Sequence, residues 1–460
     1  MFSRRRNFTI KDKSNARDVA LFVFLKITEE NRKSNSILRE IFDESDRCGY
    51  GLTRTDKAFI ERLVIGTLGR MITIDALTEP YLKKPLKAQK PVIRAILRLS
   101  VYQILYMDRV PDAAACNEGV RLVKLHGLDG LSGFVNGVLR SMIREKETEG
   151  ISEYGLNGFR RYSLPESMYD IIKEDHKEDH ERIFEALLID RRDTVRFNLS
   201  RLEGPDAEQR IAESIAEEGF SIVPLDMEAL IRENGMEMPS GRLPVVYEIT
   251  GGGDITKSLA FKKGLITVQD PASALVASYA DPKENDTVID VCAAPGGKAM
   301  AMADLMKGRG NIEARDVSAA KTALITDNIN RCGFDDINVR VLDALHVDEE
   351  SFYRADVLIA DLPCSGLGVI AKKPDIKLNF MPYSVEELKN LQRDMLSIVS
   401  RYVKPKGKLV YSTCTITRAE NDENARWISE ELGFRLITKG QLLPGEHNDG
   451  FYIAVFERKF

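Results

Sequence analysis

Apolar residues recur at three- and four-residue spacings through most of the first 146 positions of this chain. The runs ALFVFLKITEE (20–30), KAFIERLVIGTLGRMITIDALTEPYL (57–82), PVIRAILRLSVYQILYM (91–107) and GFVNGVLRSMIREKE (133–147) each gather them on one helical face. Pro91 suits a first helical turn, where its missing N–H costs nothing, and Pro111-Asp112 with Gly127, Gly130 and Gly133 separates the later runs. Residues 1–148 are therefore predicted to form an all-α bundle. Residues 149–254 mix helix-like stretches (YDIIKEDHKEDHERIFEALL, DAEQRIAESIAEEGF) with the strand-like TVRFNLSR (194–201) and FSIVPL (220–225), which predicts a small α+β domain. Over 255–460, most clearly after Gly264, short β-branched runs alternate with helical ones. TVIDVCA (287–293), NIEARDV (311–317), INVRVLD (337–343), VLIADL (357–362) and GKLVYSTC (407–414) are separated by GKAMAMADLMK, AAKTALITDNINRCG and VEELKNLQRDMLSIVSRYV. That alternation predicts a doubly wound, mostly parallel α/β sheet, whose ligands bind beyond the carboxyl ends of its strands.

Composition narrows the class without changing this picture. With 43% hydrophobic and 30% charged residues, the chain has the make-up of a globular protein and not of a disordered one. The start, MFSRRRNFTIKDK, lacks the apolar core and cleavage site of a signal peptide, and no apolar run is long enough to span a bilayer, so a cytoplasmic protein without membrane contact is expected. In a reducing compartment Cys48, Cys116, Cys292, Cys332, Cys364 and Cys414 are not expected to form disulfides. None belongs to a Cys-x-x-Cys pair and the five histidines are scattered, so no metal site is expected. Charge does alter the picture. Lys and Arg outnumber Asp and Glu by 27 to 17 over residues 1–146, are outnumbered 12 to 25 over 147–254, and stand at 27 to 29 over 255–460. A basic block beside an acidic one is the pattern of a segregated polyanion-binding surface; solvation alone would produce the same asymmetry.

Candidate chemistry collects at the predicted strand ends. Asp290-Val-Cys-Ala-Ala-Pro-Gly-Gly-Lys298 joins a strand to a helix, and Gly296 and Gly297 would let backbone approach a ligand at the helix N-terminus. The turn is neither G-x-G-x-x-G nor a phosphate loop, since Ala299 follows Lys298. A bare Gly-Gly turn is often only structural, but Asp316 ends the next strand, where it could hold ribose hydroxyls, and Asp343 ends the third, where it could accept from an adenine amino group. A nucleoside-type cofactor is the expected occupant. Asp361 and Cys364 follow the fourth strand and Cys414 the fifth. A lone cysteine at a strand end is usually packing, and Cys292, Cys332, Cys48 and Cys116 are read that way. Two on neighbouring strand ends beside a carboxylate make a constellation. A thiolate adding to carbon 6 of a cytosine would turn carbon 5 into a nucleophile, and a carboxyl group near N3 would stabilise the charge on the ring.

The runs VIDVCAAPGGK, DLPCSGLGVIAKKPDIK and LVYSTCTITRAENDENA resemble the cofactor and catalytic motifs of RNA cytosine-5 methyltransferases. RVPDAAACNEGVRLVK (109–124) and GFVNGVLR (133–140) look like signature stretches of a NusB-like RNA-binding domain, and GLITVQDPASALVA (264–277) is similar to the segment leading into the family's Rossmann-like core. Nearly the whole chain resembles the bacterial RsmB (Sun) type, which modifies 16S ribosomal RNA. The resemblance implies that Cys292, Ala293, Ala294, Pro295, Gly296, Gly297 and Lys298 bind S-adenosyl-L-methionine, with Asp316 at its ribose, Asp343 at its adenine and Asp361 where cofactor and base meet. It implies that Cys414 attacks the base, that Cys364 helps release the product, and that the partner is an unpaired or flipped cytosine of small-subunit RNA. Leu362 stands where the family often has Ala, and Leu378-Asn379 where an aromatic is frequent. Three other readings compete. One is a DNA cytosine-5 methyltransferase, in which the Pro-Cys cysteine would attack. Another is a NusB-like assembly or antitermination factor with an inactive appendage, against which intact Lys298, Asp361, Cys364 and Cys414 speak. The third is a dehydrogenase, for which the glycine spacing is wrong.

Overall fold

Asn15 opens the helical part: its side chain accepts from the N–H groups of Arg17 and Asp18 and caps the helix Ala16–Glu30. Asp18 is fully buried, and its carboxylate is satisfied by the N–H groups of Lys11 (2.6 Å) and Asp12 (2.7 Å), with His126 Nε2 at 2.6 Å. Thr53 and Asp56 cap Arg54–Gly69 reciprocally. With Pro91–Tyr106, Asp112–Leu125 and Ser132–Thr148, these helices enclose one apolar core running from Val19 and Phe24 through Ile96 and Val101 to Leu139 and Met142. The run at 57–82 is not one helix: the chain breaks at Arg70, resumes as Met71–Thr78 and ends in a 3-10 turn carrying Pro80. Apolar spacing persists across the break, so periodicity alone cannot reveal it. Cys116 is buried as expected, but Cys48 is a correction: it is the last residue of the helix Ser34–Cys48 and is exposed, not packed.

The computed structural model describes residues 8–202 and 204–459; the arginine-rich residues 1–7, on which the leader-peptide expectation partly rests, lie outside them. The chain divides into two units, one up to Glu174 together with Ile370–Phe380, the other Asp175–Val369 with Met381–Phe460. In the first, Ile370–Phe380 is bound tightly to the helices. Lys377 Nζ donates to the carbonyls of Gly69 (2.6 Å) and Ser163 (2.9 Å), Ser34 Oγ donates to Asp375 (2.5 Å), and Leu378 packs on the helical core. An apolar residue at 378 thus has a packing role here.

The second unit holds two sheets. β1 (Asp193–Phe197), β2 (Phe220–Pro224), β3 (Val246–Gly251) and β4 (Ile266–Val268) form an antiparallel sheet in the order β2-β3-β1-β4. The other contains β5 (Thr287–Asp290), β6 (Asn311–Asp316), β7 (Ile337–Val341), β8 (Ala355–Asp361), β9 (Val403–Thr413), β10 (Phe434–Leu442) and β11 (Phe451–Arg458), ordered β10-β11-β9-β8-β5-β6-β7. The five expected strands, β5 to β9, are mutually parallel, whereas β11 runs antiparallel to β9 and to β10. Neither β10 nor β11 was anticipated, nor were β3 and β4. β10 buries only Phe434 and Leu442, so its residues carry no continuous apolar signal. The chain leaves β5 toward β6 on one side while β8 lies on the other, so the crevice of this doubly wound sheet opens beyond Asp290.

Replacing Lys377 by Met keeps the stem and removes the donor, leaving two carbonyls unpaired at about 1–3 kcal/mol each. Hydrogen exchange in the Lys377→Met protein should show lost protection over 376–380; unchanged protection there would count against the ammonium as the anchor.

Candidate active site

Local geometry puts a bare helix end beside a row of acids. Gly296 has φ 103°, a conformation that favours glycine, and a Cβ there would press to 3.3 Å on Ile325 Cγ2. Its N–H donates to the carbonyl of Ala293 (2.6 Å), and the helix Gly297–Leu305 starts with no side-chain cap, which leaves first-turn N–H groups for a ligand. Asp290, Asp316 and Asp361 are the last residues of β5, β6 and β8. Asp343 is not a strand end: it lies two residues past Val341, in a turn where it accepts from the N–H of Leu345 (3.0 Å). Asp316 accepts from the N–H groups of Ala294 (3.1 Å) and Val317 (2.8 Å) and meets Lys321 Nζ at 3.0 Å. A carboxylate has lone pairs to spare beyond those three, so hydroxyl donors can still be taken.

Asp361 and Asp290 share one cation. Lys298 Nζ lies 2.6 Å from Asp361 Oδ2, and Ser412 Oγ donates to Asp361 Oδ1 (3.0 Å). Burial pulls the Lys298 ammonium toward neutrality, but Asp361, Asp290 and Cys414 outweigh it and hold its pKa above the ordinary lysine value. Asp290 is completely buried, with one oxygen near the N–H of Cys292 (3.4 Å) and the other without a partner. Burial pushes its carboxyl up to about 7, Lys298 opposing and Asp361 and Asp316 reinforcing the shift.

The sulfurs of Cys364 and Cys414 lie 3.3 Å apart. The hydrogen bond with Cys414, burial, and the charges of Cys414, Glu420 and Asp361 push the Cys364 thiol well above the ordinary range. Cys292 packs on the core beneath β5 and β8, its thiol also pushed up by burial and by the nearby aspartates. Cys332 is buried, as expected, against Asn198 and Thr267. The structure therefore brings Lys298, Asp361, Cys364 and Cys414 together. It adds contacts the sequence does not give: Ser412, from the Ser-Thr-Cys-Thr run, on Asp361, and Gln392, Glu420, Asn421 and Asn424 behind the two thiols. The one signal for the last three was the polar cluster ENDEN at the start of a helix with an apolar face.

A seven-stranded doubly wound sheet with this glycine turn and these strand-end acids defines a Rossmann-like methyltransferase fold, here in a chain that also carries a helical bundle. The family model "16S rRNA methyltransferase RsmB/F" matches residues 277–457, and that of the NusB family matches 14–144. A probable ribosomal RNA small subunit methyltransferase B of Bacillus subtilis (strain 168) is 33% identical over 422 residues, covering 89% of this chain and 87% of that protein. Ribosomal RNA small subunit methyltransferase B of Proteus mirabilis (strain HI4320) is 27% identical over 453 residues, 98% of this chain and 100% of its own. The chain belongs to the RsmB/F family of 16S rRNA methyltransferases. In fold it is similar to the crystal structure of PH0851 (TM-score 0.76, 23% identity, 99% of this chain and 100% of that one) and to NSun6 from Pyrococcus horikoshii with SFG (TM-score 0.53, 20% identity, 64% and 98%). Among the described residues there is no group that could hold a metal ion and no helix long and apolar enough to cross a membrane.

Asp290 supplies a pH test. Its folded pKa is raised, so between about pH 4 and about 7 the folded state holds a proton that the unfolded state has lost, and stability falls as pH rises through that window. Asp290→Asn should flatten this slope, gaining on the parent at pH 8 relative to pH 5 in urea titrations without ligand. Parallel stability–pH curves for the two proteins would refute the raised value.

Proposed function

We propose that this enzyme transfers a methyl group from S-adenosyl-L-methionine to carbon 5 of an unpaired or flipped cytosine in small-subunit ribosomal RNA, with Cys414 as nucleophile. The observation that carries the proposal is the pair of thiols 3.3 Å apart beside the Lys298–Asp361 ion pair. The bare helix end at Gly296-Gly297, the strand-end Asp316 and the neighbouring Asp343 fit a nucleoside ligand. The segment 292–298 would cradle the cofactor, Asp316 its ribose and Asp343 its adenine. When bound, the cofactor supplies an electrophilic methyl group; everything else falls to the chain.

Lys298 is held as an ammonium whose field reaches Cys414, which favours a thiolate there over a thiol. That thiolate attacks carbon 6 of the cytosine, while Asp361, fixed by Lys298 and Ser412, faces N3 as charge builds on the ring. Carbon 5 takes the methyl group. Loss of the carbon-5 proton to a base from solvent leaves its electron pair to re-form the 5,6 double bond and expel Cys414 as thiolate, and Cys364, whose own ionisation is disfavoured, assists that release. Because a stacked base hides carbon 6, the target must be looped out or flipped.

Asp316→Ala should weaken S-adenosylmethionine binding by about 1.5–3 kcal/mol, the worth of a charge-assisted hydrogen bond, and calorimetry showing equal affinity would remove Asp316 from the site. Cys414→Ser should abolish turnover and form no RNA adduct, since a serine hydroxyl is scarcely ionised at neutral pH. Cys364→Ala should still attack and methylate, then stall, retaining RNA on a denaturing gel. Adducts with Cys414→Ser and none with Cys364→Ala would assign the attack to the other thiol. The basic excess before residue 147 should make RNA binding weaken steeply with salt. A salt series in which deleting residues 1–146 leaves RNA affinity unchanged would show that this charge only solvates the bundle.

A further inference from the structure

Two loops carry the thiols, and each is short enough to move. Cys364 stands three residues past the end of β8, Cys414 one residue past the end of β9. The two sulfurs meet at 3.3 Å, and the backbone on either side of each is gripped by buried side chains. On both sides of Cys364 the grip leads to Glu420. Ser365, which follows Cys364, donates to Glu420 through its N–H (2.9 Å) and its hydroxyl (2.5 Å). Pro363, which precedes it, accepts at its carbonyl from Gln392 Nε2 (2.8 Å), and the same amide donates to Glu420 (3.1 Å). On both sides of Cys414 the grip leads to Asn421. Thr413 Oγ1 donates to Asn421 Oδ1 (2.6 Å), and Asn421 Nδ2 donates to the carbonyl of Thr415 (3.0 Å). Besides Gln392, the gripping residues Glu420 and Asn421 are consecutive in sequence, at 0% and 1% exposure; the loops also meet where Ser365 Oγ lies 2.7 Å from Thr415 Oγ1, and Gly368 N–H donates to the Cys414 carbonyl (3.1 Å).

We propose that Glu420-Asn421 is a positioning clamp that sets the distance between Cys364 and Cys414, Glu420 holding one thiol's loop and Asn421 the other's, with the peptide bond between them as a fixed spacer. A buried carboxylate is costly unless fully bonded, and Glu420 is: Thr417 Oγ1 adds a further donor at 2.9 Å. The hub is itself held, for Tyr411 donates to the carbonyl of Glu420 (2.6 Å), and Asn424 Nδ2 donates to Gln392 Oε1 (2.8 Å). None of these polar groups needs to touch substrate. Their work is to keep two sulfurs at the separation that lets one act on an intermediate formed by the other, and in that consequence the inference rests on the two-thiol mechanism proposed above. The geometry itself does not.

The spacing can be read without RNA or cofactor. Phenylarsine oxide is captured tightly only where two thiols can bind one arsenic, and Cys364→Ala supplies the background from the remaining cysteines. Glu420→Ala and Asn421→Ala should each weaken capture by about tenfold, the scale of a buried hydrogen bond lost from each loop. In turnover they should slow release of the RNA adduct more than its formation. Glu420→Gln should restore capture, because its carbonyl still accepts from Ser365 N–H and Gln392 while the Ser365 and Thr417 hydroxyls turn to accept from the new amide. Parental capture by folded Glu420→Ala and Asn421→Ala overturns the clamp. Equal impairment of Glu420→Gln and Glu420→Ala also overturns it, since charge and not position would then matter. Should the alanine variants not fold, Thr413→Val and Ser365→Ala each remove one arm at the clamp's edge, and parental capture by both would overturn it as well. Capture that depends on the clamp while Cys414→Ser still forms adducts would uphold the clamp and discard the proposed nucleophile.

Discussion

Lys298 meets Asp361 at 2.6 Å on a sheet edge where Asp290 and Asp316 also end strands. Three carboxylates brought so close by topology repel one another, and the fold offers few ways to relieve them. Asp316 is relieved locally by the N–H groups of Ala294 and Val317 and by Lys321. Asp361 is relieved by Lys298 and Ser412. Asp290 has neither device in full: it is buried, one oxygen is unpartnered, and its carboxyl is pushed toward neutrality. A single ammonium therefore decides the charge of the edge. It holds Asp361 in place, it opposes the shift on Asp290, and its field extends to Cys414. Lys298 can serve all three because it sits in the first turn of a helix that begins at the glycine turn.

That arrangement explains which features could be read in the sequence. β5, β6, β8 and the last residues of β9 are parallel strands largely buried in the sheet, so VLIADL and its counterparts stand out as apolar runs, and their ends mark the edge where the candidate residues gather. Cys364, Cys414 and Asp361 were legible for that reason. Two strands were not: β10 buries only its end residues Phe434 and Leu442, and β11, though largely buried, follows β10 without an intervening helix and pairs antiparallel, outside the strand–helix alternation. Asp343 was placed one step too early, because INVRVLD reads as strand to its end whereas pairing stops at Val341. The buried polar hub was the least legible part. Glu420, Asn421 and Asn424 fall in the motif run LVYSTCTITRAENDENA, but nothing in that run shows that tertiary packing turns them inward. Polar burial has no period in sequence, since it is permitted wherever partners converge from elsewhere in the chain.

Cys48 and Lys377 make the same point from opposite directions. A cysteine in an apolar-patterned segment is ordinarily inside, yet Cys48 falls at a helix terminus, ahead of a left-handed glycine cap, and is exposed. A lysine is ordinarily outside, yet Lys377 is buried because two helix-unit carbonyls and the packing of Leu378 hold its segment there. In each case the exception comes from where an element ends or is anchored, which residue type alone does not encode.

The two thiols differ in surroundings more than in position, and the difference has a direction. Cys364 is burdened by every neighbour that disfavours charge: burial, Glu420, Asp361 and the second sulfur itself. Cys414 lies within the field of Lys298. A thiol held un-ionised by those neighbours can share its proton with the sulfur 3.3 Å away. On the proposed mechanism this is the polarity required, since the attacking sulfur must be ionised before the base arrives and the second group must still have a proton to manage afterwards. Exchanging the roles would demand a thiolate surrounded by two carboxylates and a thiol beside an ammonium. The electrostatics of the carboxyl edge thus favour one order of events over its reverse, and they do so through Lys298, Asp361 and Glu420 and not through the sulfurs themselves.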